Sequence, residues 1–174
     1  MQKNIRFITL LVLSVCLIGI CSCGKNIASG RAVAPFADVS WSSSVSDVIR
    51  TEGESTNTYD SVYGGTTYSY PKEFDDKKGT VKYMFDDKDA LMCIAWAYGS
   101  DDEDELYELY NTINQSVNDV YGESNYSADT NATNYGNVWR LESGNIILST
   151  MITSETKALQ YAYLNPAVSN TEGQ

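Results

Sequence analysis

The chain of 174 residues contains no histidine. That absence removes Ser-His-Asp and Cys-His catalysis, and it removes zinc sites built on imidazole. Cysteine is scarce where it would matter structurally: Cys16, Cys21 and Cys23 crowd the N-terminus, and Cys93 stands alone in the body. A single body cysteine forms no internal disulfide. Cys93 sits in the apolar run LMCIAWAY (91–98) and reads as a small buried hydrophobe, since a reactive thiol wants an activating cation beside it. Basic residues are few, 12 Lys and Arg against 23 Asp and Glu, for a net charge of −11. Such a surface disfavours nucleic acid and anionic headgroups. No basic patch with interleaved aromatics occurs, and Gly64–Gly65 reads as a turn, not as part of a phosphate cradle. Nothing in the sequence calls for a cofactor.

What is present begins with an export signal. Lys3 and Arg6 make a short positive start, followed by the uncharged run FITLLVLSVCLIGI (7–20). Fourteen residues fall short of the about 20 that cross a bilayer, but suit the apolar centre of a signal peptide. The following ICSC (20–23) resembles the bacterial lipobox, with a branched residue three positions before a cysteine and a small residue directly before it. The resemblance implies that Cys23 is the lipidated N-terminus of the mature protein, with Cys21 the alternative. Two acyl chains on that thiol would give durable anchoring to a cell membrane at its extracytoplasmic face. The competing readings are an uncleaved signal anchor and a secreted protein cut at a small-residue site. The expected organisation is a signal peptide over 1–22, a lipidated tether over 23–35, a domain over 36–167 and a disordered tail over 168–174.

Within the domain, two halves (36–99 and 100–167) follow one plan. In the first, Ser44 and Asp47 form a capping-box-like start to a short helix, Val45, Val48 and Ile49 give helical spacing, and Gly53 stops it. A polar stretch over 54–65 precedes three strands, TTYSYPKEF (66–74), GTVKYMF (79–85) and ALMCIAWAY (90–98), with Asp86–Asp89 as a hairpin. In the second half Ser100 is the expected cap, with Glu103 completing the box. Leu106, Tyr110, Ile113, Val117 and Val120 recur at helical spacing as far as Gly122. Another polar stretch (123–136) leads to strands at 137–143, 145–153 and 157–165. The expected fold is α+β: two tandem α-β-β-β repeats forming an antiparallel sheet of about six strands, with two helices on one face.

Phe36, Val39, Trp41, Ser44, Val48, Glu52 and Gly53 approximate a stretch carried by small exported bacterial lipoproteins, with Ser42 where glycine is usual. YGES (121–124), Trp139 and NIILST (145–150) resemble their second half. The helix-plus-strands unit is similar to that of β-barrel-assembly lipoproteins and β-lactamase-inhibitor-like proteins. The resemblance implies action by binding other proteins.

Two acidic clusters offer oxygen ligands for Ca²⁺: Asp86, Asp87 and Asp89, and the run Asp101–Glu105. Neither has EF-hand spacing, and a solvated hairpin and a helix start complementing its dipole explain both without metal. Thirteen tyrosines and three tryptophans remain to be placed. If helices cover one sheet face, aromatics on the other would form a binding surface; Tyr68, Tyr70 and Trp139 are the candidates. The expected function is therefore a non-catalytic binding lipoprotein whose partner is another envelope or extracellular protein. The alternatives are an envelope structural or assembly factor and, behind it, a carboxylate-based hydrolase.

Overall fold

The computed structural model describes residues 33–55, 57–130 and 134–169. They form three helices, α1 (Val45–Glu52), α2 (Glu103–Tyr121) and α3 (Pro166–Ser169). The eight strands are β1 (Asn57–Asp60), β2 (Gly64–Phe74), β3 (Lys77–Asp86), β4 (Leu91–Gly99), β5 (Tyr126–Thr130), β6 (Asn134–Trp139), β7 (Ile146–Ile152) and β8 (Lys157–Leu164). All eight join one antiparallel sheet in the order β1-β2-β3-β4-β8-β7-β6-β5.

This overturns the expected six-stranded sheet of tandem α-β-β-β repeats. Among the described residues the sheet has eight strands and the helices number three. The added strands, β1 and β5, lie at the two sheet edges. All four residues of β1 are exposed, and so are Tyr126 and Ser127 of β5. A strand with no buried face carries no apolar alternation, so its sequence looks like a loop. Among the described residues, no helix is long and apolar enough to cross a membrane.

Both longer helices lie on one sheet face. The hydrophobic core there joins Val48 of α1 and Leu106, Leu109, Tyr110, Ile113 and Val117 of α2 to inward residues of six strands. Two tryptophans anchor it. Trp96 is wholly buried, and its indole N–H donates to the Lys72 carbonyl at 3.0 Å. Gly79 makes room for that ring, since a Cβ there would stand 2.6 Å from the indole. Trp139, 1% exposed, donates to the Gly122 carbonyl at 3.0 Å and reaches Asn118 Oδ1 at 3.1 Å. An aromatic of this kind buries on the order of 200 Å², worth about 5 kcal/mol of transfer free energy.

Hairpin geometry sets which residues face that core. Asp75 and Asp76 link β2 to β3 with φ of 50° and 58°, the left-handed pair a two-residue turn requires. Between β3 and β4 the register shifts, Met84 pairing with Cys93 but Phe85 with Leu91. Met92 is the extra residue, so Leu91 is fully buried beside Phe85. Met92 therefore drops out of the alternation that Ile94, Trp96 and Tyr98 continue.

The helix starts follow their side chains. Ser44 and Asp47 form a reciprocal capping box on α1. On α2 the cap is Asp102 in place of the expected Ser100; its carboxylate accepts from the Asp104 and Glu105 amides. Ser100 instead donates to Glu105. The fold also extends past both expected boundaries. Ala34 is buried and the Val33 amide donates to the Val39 carbonyl, so 33–35 belong to the domain, not to a tether. At the other end Ser169 accepts from the Asn145 amide. Cys23, with the signal peptide and lipidation expected around it, lies outside the described residues.

Candidate functional site

The N-terminal segment is what turns a packed sheet into a site. Phe36 inserts edge-on among Phe74, Tyr161 and Tyr163, at centroid distances of 5.5, 5.4 and 6.0 Å. Five residues later the Trp41 indole N–H donates to the Ser143 carbonyl at 3.1 Å, strapping this segment to the β6–β7 loop. Gly144, at φ 117°, lets that loop turn tightly; a Cβ there would collide with the Leu164 carbonyl oxygen at 2.1 Å.

Between this strap and α2 lies a cavity of about 930 Å³. The second half of α2 forms one wall through Ile113, Val117, Val120 and Tyr121. Ile146, Tyr161 and Tyr163 of β7 and β8 form the floor. Val33–Pro35, Trp41, the Phe74–Asp75 turn, Leu141–Gly144 and Pro166 close the sides. The volume is that of a small-molecule site, and the composition, apolar and aromatic with few polar groups, is of the same kind. The mouth is marked by Val120 at 70% exposure and Tyr121 at 45%. The apolar stripe of α2 runs on past the point where the sheet supports it.

The polar equipment is sparse. The Tyr161 and Tyr163 hydroxyls lie 2.6 Å apart. Burial pushes the Tyr161 hydroxyl up to about 12 and that of Tyr163 further up, so both stay neutral at any physiological pH. One hydrogen bond between two hydroxyls uses one of two protons. Among the described residues Asp75 is the one charged side chain in the lining. Paired-acid hydrolysis needs two carboxylates across a cleft, and this cavity brings one.

None of the three aromatic residues singled out from the sequence lies on the free sheet face. Trp139 and Tyr70, 1% and 3% exposed, belong to the helix-covered core. Tyr68, partly buried, packs edge-on against Phe85 at 5.8 Å. The free face instead carries a small cluster of Cys93, Ala95 and Ala162 flanked by Tyr63, Met84, Ile147 and Leu164. Exposed Tyr59, Tyr126 and Met151 lie farther out on that face. The Cys93 thiol is buried there and pushed up to about 12 by desolvation, an inert state.

The acidic clusters have structural occupations. Asp86 accepts from the Lys88 and Ala90 amides of its own turn. Asp102 caps α2. Glu105 receives hydrogen bonds from Lys77, Ser100 and Tyr98, which hold its carboxyl down to about 2. Among the described residues no group of His, Cys, Asp and Glu is arranged to hold a metal.

Sequence reasoning missed Trp41, Asp75, Tyr121, Tyr161 and Tyr163 as a group because they come from four separate segments. One local signal existed: Val120 and Tyr121 extend an apolar stripe to the last turn of a helix. No family model, curated protein or solved structure matches the chain.

Proposed function

We propose that this protein is a membrane-anchored extracytoplasmic lipoprotein whose domain is a non-catalytic receptor for a small apolar ligand. The cavity beside the second half of α2 carries the reading. It combines a ligand-sized volume, an apolar and aromatic lining and neutral hydroxyls on its floor. The lipobox-like ICSC (20–23) supports the anchoring half. With Cys23 acylated, nine residues (24–32) lie between it and Val33 at the cavity's edge, a reach of at most about 35 Å. The site would then work close to the membrane surface.

The two halves have separate tests. Replacing Cys23 with Ala abolishes acylation and releases the chain from the membrane fraction; a variant that stays membrane-bound at mature size contradicts the anchor. For the cavity, a neutral environment-sensitive dye such as N-phenylnaphthylamine is titrated into the full chain in lipid nanodiscs, with empty nanodiscs as blank. Saturable binding is expected, weakened several-fold by V120W, which fills the mouth at an exposed position. Binding indifferent to V120W, or none, defeats the receptor reading.

A second reading, an interaction module for another envelope protein, draws on the free sheet face, where Tyr59, Tyr126 and Met151 are exposed. Tyrosine and methionine are enriched at protein interfaces.

A further inference from the structure

We infer that the cavity selects apolar ligands that carry an ammonium group and rejects those that carry a carboxylate. This deepens the receptor reading and rests on it. Among the described residues the lining contains no lysine or arginine, and its one charged side chain is Asp75. An entering cation therefore meets a counterion in that lining, while an entering anion meets like charge there. Lys77, two residues beyond Asp75 and within reach of its charge, lies outside the lining and is paired with Glu105 at the start of α2.

Aromatic rings line the same cavity as Asp75. Phe74 precedes it in the chain, with the Tyr161 ring 6.0 Å from Phe74 and inclined by 38°. Trp41 and Tyr121 line the same space. Ring faces attract ammonium groups within about 6 Å, and more strongly where water is excluded. One carboxylate and several aromatic rings lining one cavity are chemistry suited to an alkylammonium head. The Tyr161–Tyr163 hydroxyls and the apolar wall of α2 would take the rest of the molecule.

The turn permits a clean test. Asp75 and Asp76 both sit at positive φ, a conformation Asn tolerates as well as Asp. D75N therefore removes the charge while keeping the hairpin. D76N makes the same change in net charge at a residue outside the lining. The full chain in nanodiscs is titrated by calorimetry with three compounds of one skeleton: a phenylalkyl trimethylammonium, the corresponding alcohol and the corresponding carboxylate.

The expected result is roughly tenfold tighter binding of the ammonium than of the alcohol, and no measurable binding of the carboxylate. D75N should bring the ammonium to the level of the alcohol and D76N should leave the preference intact. Equal affinity for ammonium and carboxylate, or a preference that survives D75N or falls equally in D76N, overturns the inference while the alcohol's binding upholds the receptor reading. Failure of all three compounds to bind overturns both.

Discussion

The two longer helices lie on the same sheet face and are held there by different means. α1 has 8 residues and buries one of them fully in the core, Val48. Its attachment is largely polar: Glu52 takes both a bidentate contact from Lys72 at 2.8 and 3.0 Å and the Tyr83 hydroxyl at 2.6 Å. α2 has 19 residues and buries five, so its first four turns are held by apolar area. A polar pin at its start, Glu105 with Lys77, Tyr98 and Ser100, fixes its position along the sheet. Its last turn is tied by the Trp139 indole N–H, which donates to Asn118 Oδ1 and the Gly122 carbonyl, but Val120 and Tyr121 there stay exposed, and there the cavity opens. A short helix tied at one point and a long helix whose last apolar residues stay exposed leave a space between strap and sheet that a uniformly packed layer would have filled.

The contrast can be broken at its stronger member first. L106A removes a fully buried side chain from α2 and should cost about 2–5 kcal/mol, read as a lowered urea midpoint; a loss under half of that would mean the apolar stripe does not hold the helix. E52A attacks the polar tie of α1. It leaves the Tyr83 hydroxyl and Lys72 amine without their acceptor, at a cost of about 1–3 kcal/mol. Loss of far-ultraviolet helix signal confined to one short helix should accompany it, with dye binding at the cavity retained.

The pin on α2 sharpens the comparison through pH and has the smallest effect at neutrality. The Glu105 carboxyl lies below its ordinary value of 4.5, at about 2. A depressed carboxyl contributes stability that is whole above about 4.5 and is lost as pH falls toward 2. E105Q has no such proton to take up. Between those limits the wild-type urea midpoint should therefore fall more steeply than that of E105Q, and parallel curves would show that the pin carries no electrostatic stabilisation.

Much of the sheet is legible in the sequence, for a physical reason. β2, β3, β4, β7 and β8 each carry a buried face, and alternation such as Val81–Tyr83–Phe85 or Leu159–Tyr161–Tyr163 records it. β1 and β5 bury little and read as loops, which is why six strands were expected and eight exist. The bulge at Met92 shifts Leu91 into the core without any change in composition, so period alone misplaces both residues. The α1 cap reads correctly from Ser44 and Asp47. The α2 cap is misplaced by two residues because Ser100 and Asp102 are both competent, and tertiary pairing of Ser100 with Glu105 decides between them.

The site was much less legible than the fold. Alternation marks Tyr161 and Tyr163 as inward-facing, but inward tyrosines read as core. That they border empty space depends on Phe36 and Trp41, more than a hundred residues earlier in the chain. Likewise Tyr70 and Trp139 are aromatic and on strands, which fits a binding face as well as a core; the position of the helices decides for the core.

The central claim, that the space beside the last turns of α2 takes a ligand, is tested most directly by amide shift mapping. The isotope-labelled full chain in nanodiscs is titrated with the neutral phenylalkyl alcohol. Saturable shifts should gather at Ile113–Tyr121, at Ser143–Ile146, at Tyr161–Tyr163 and at the Trp41 indole N–H. Shifts gathered instead around Cys93, Ala95 and Ala162 on the opposite sheet face, or no saturable shift at all, would contradict it.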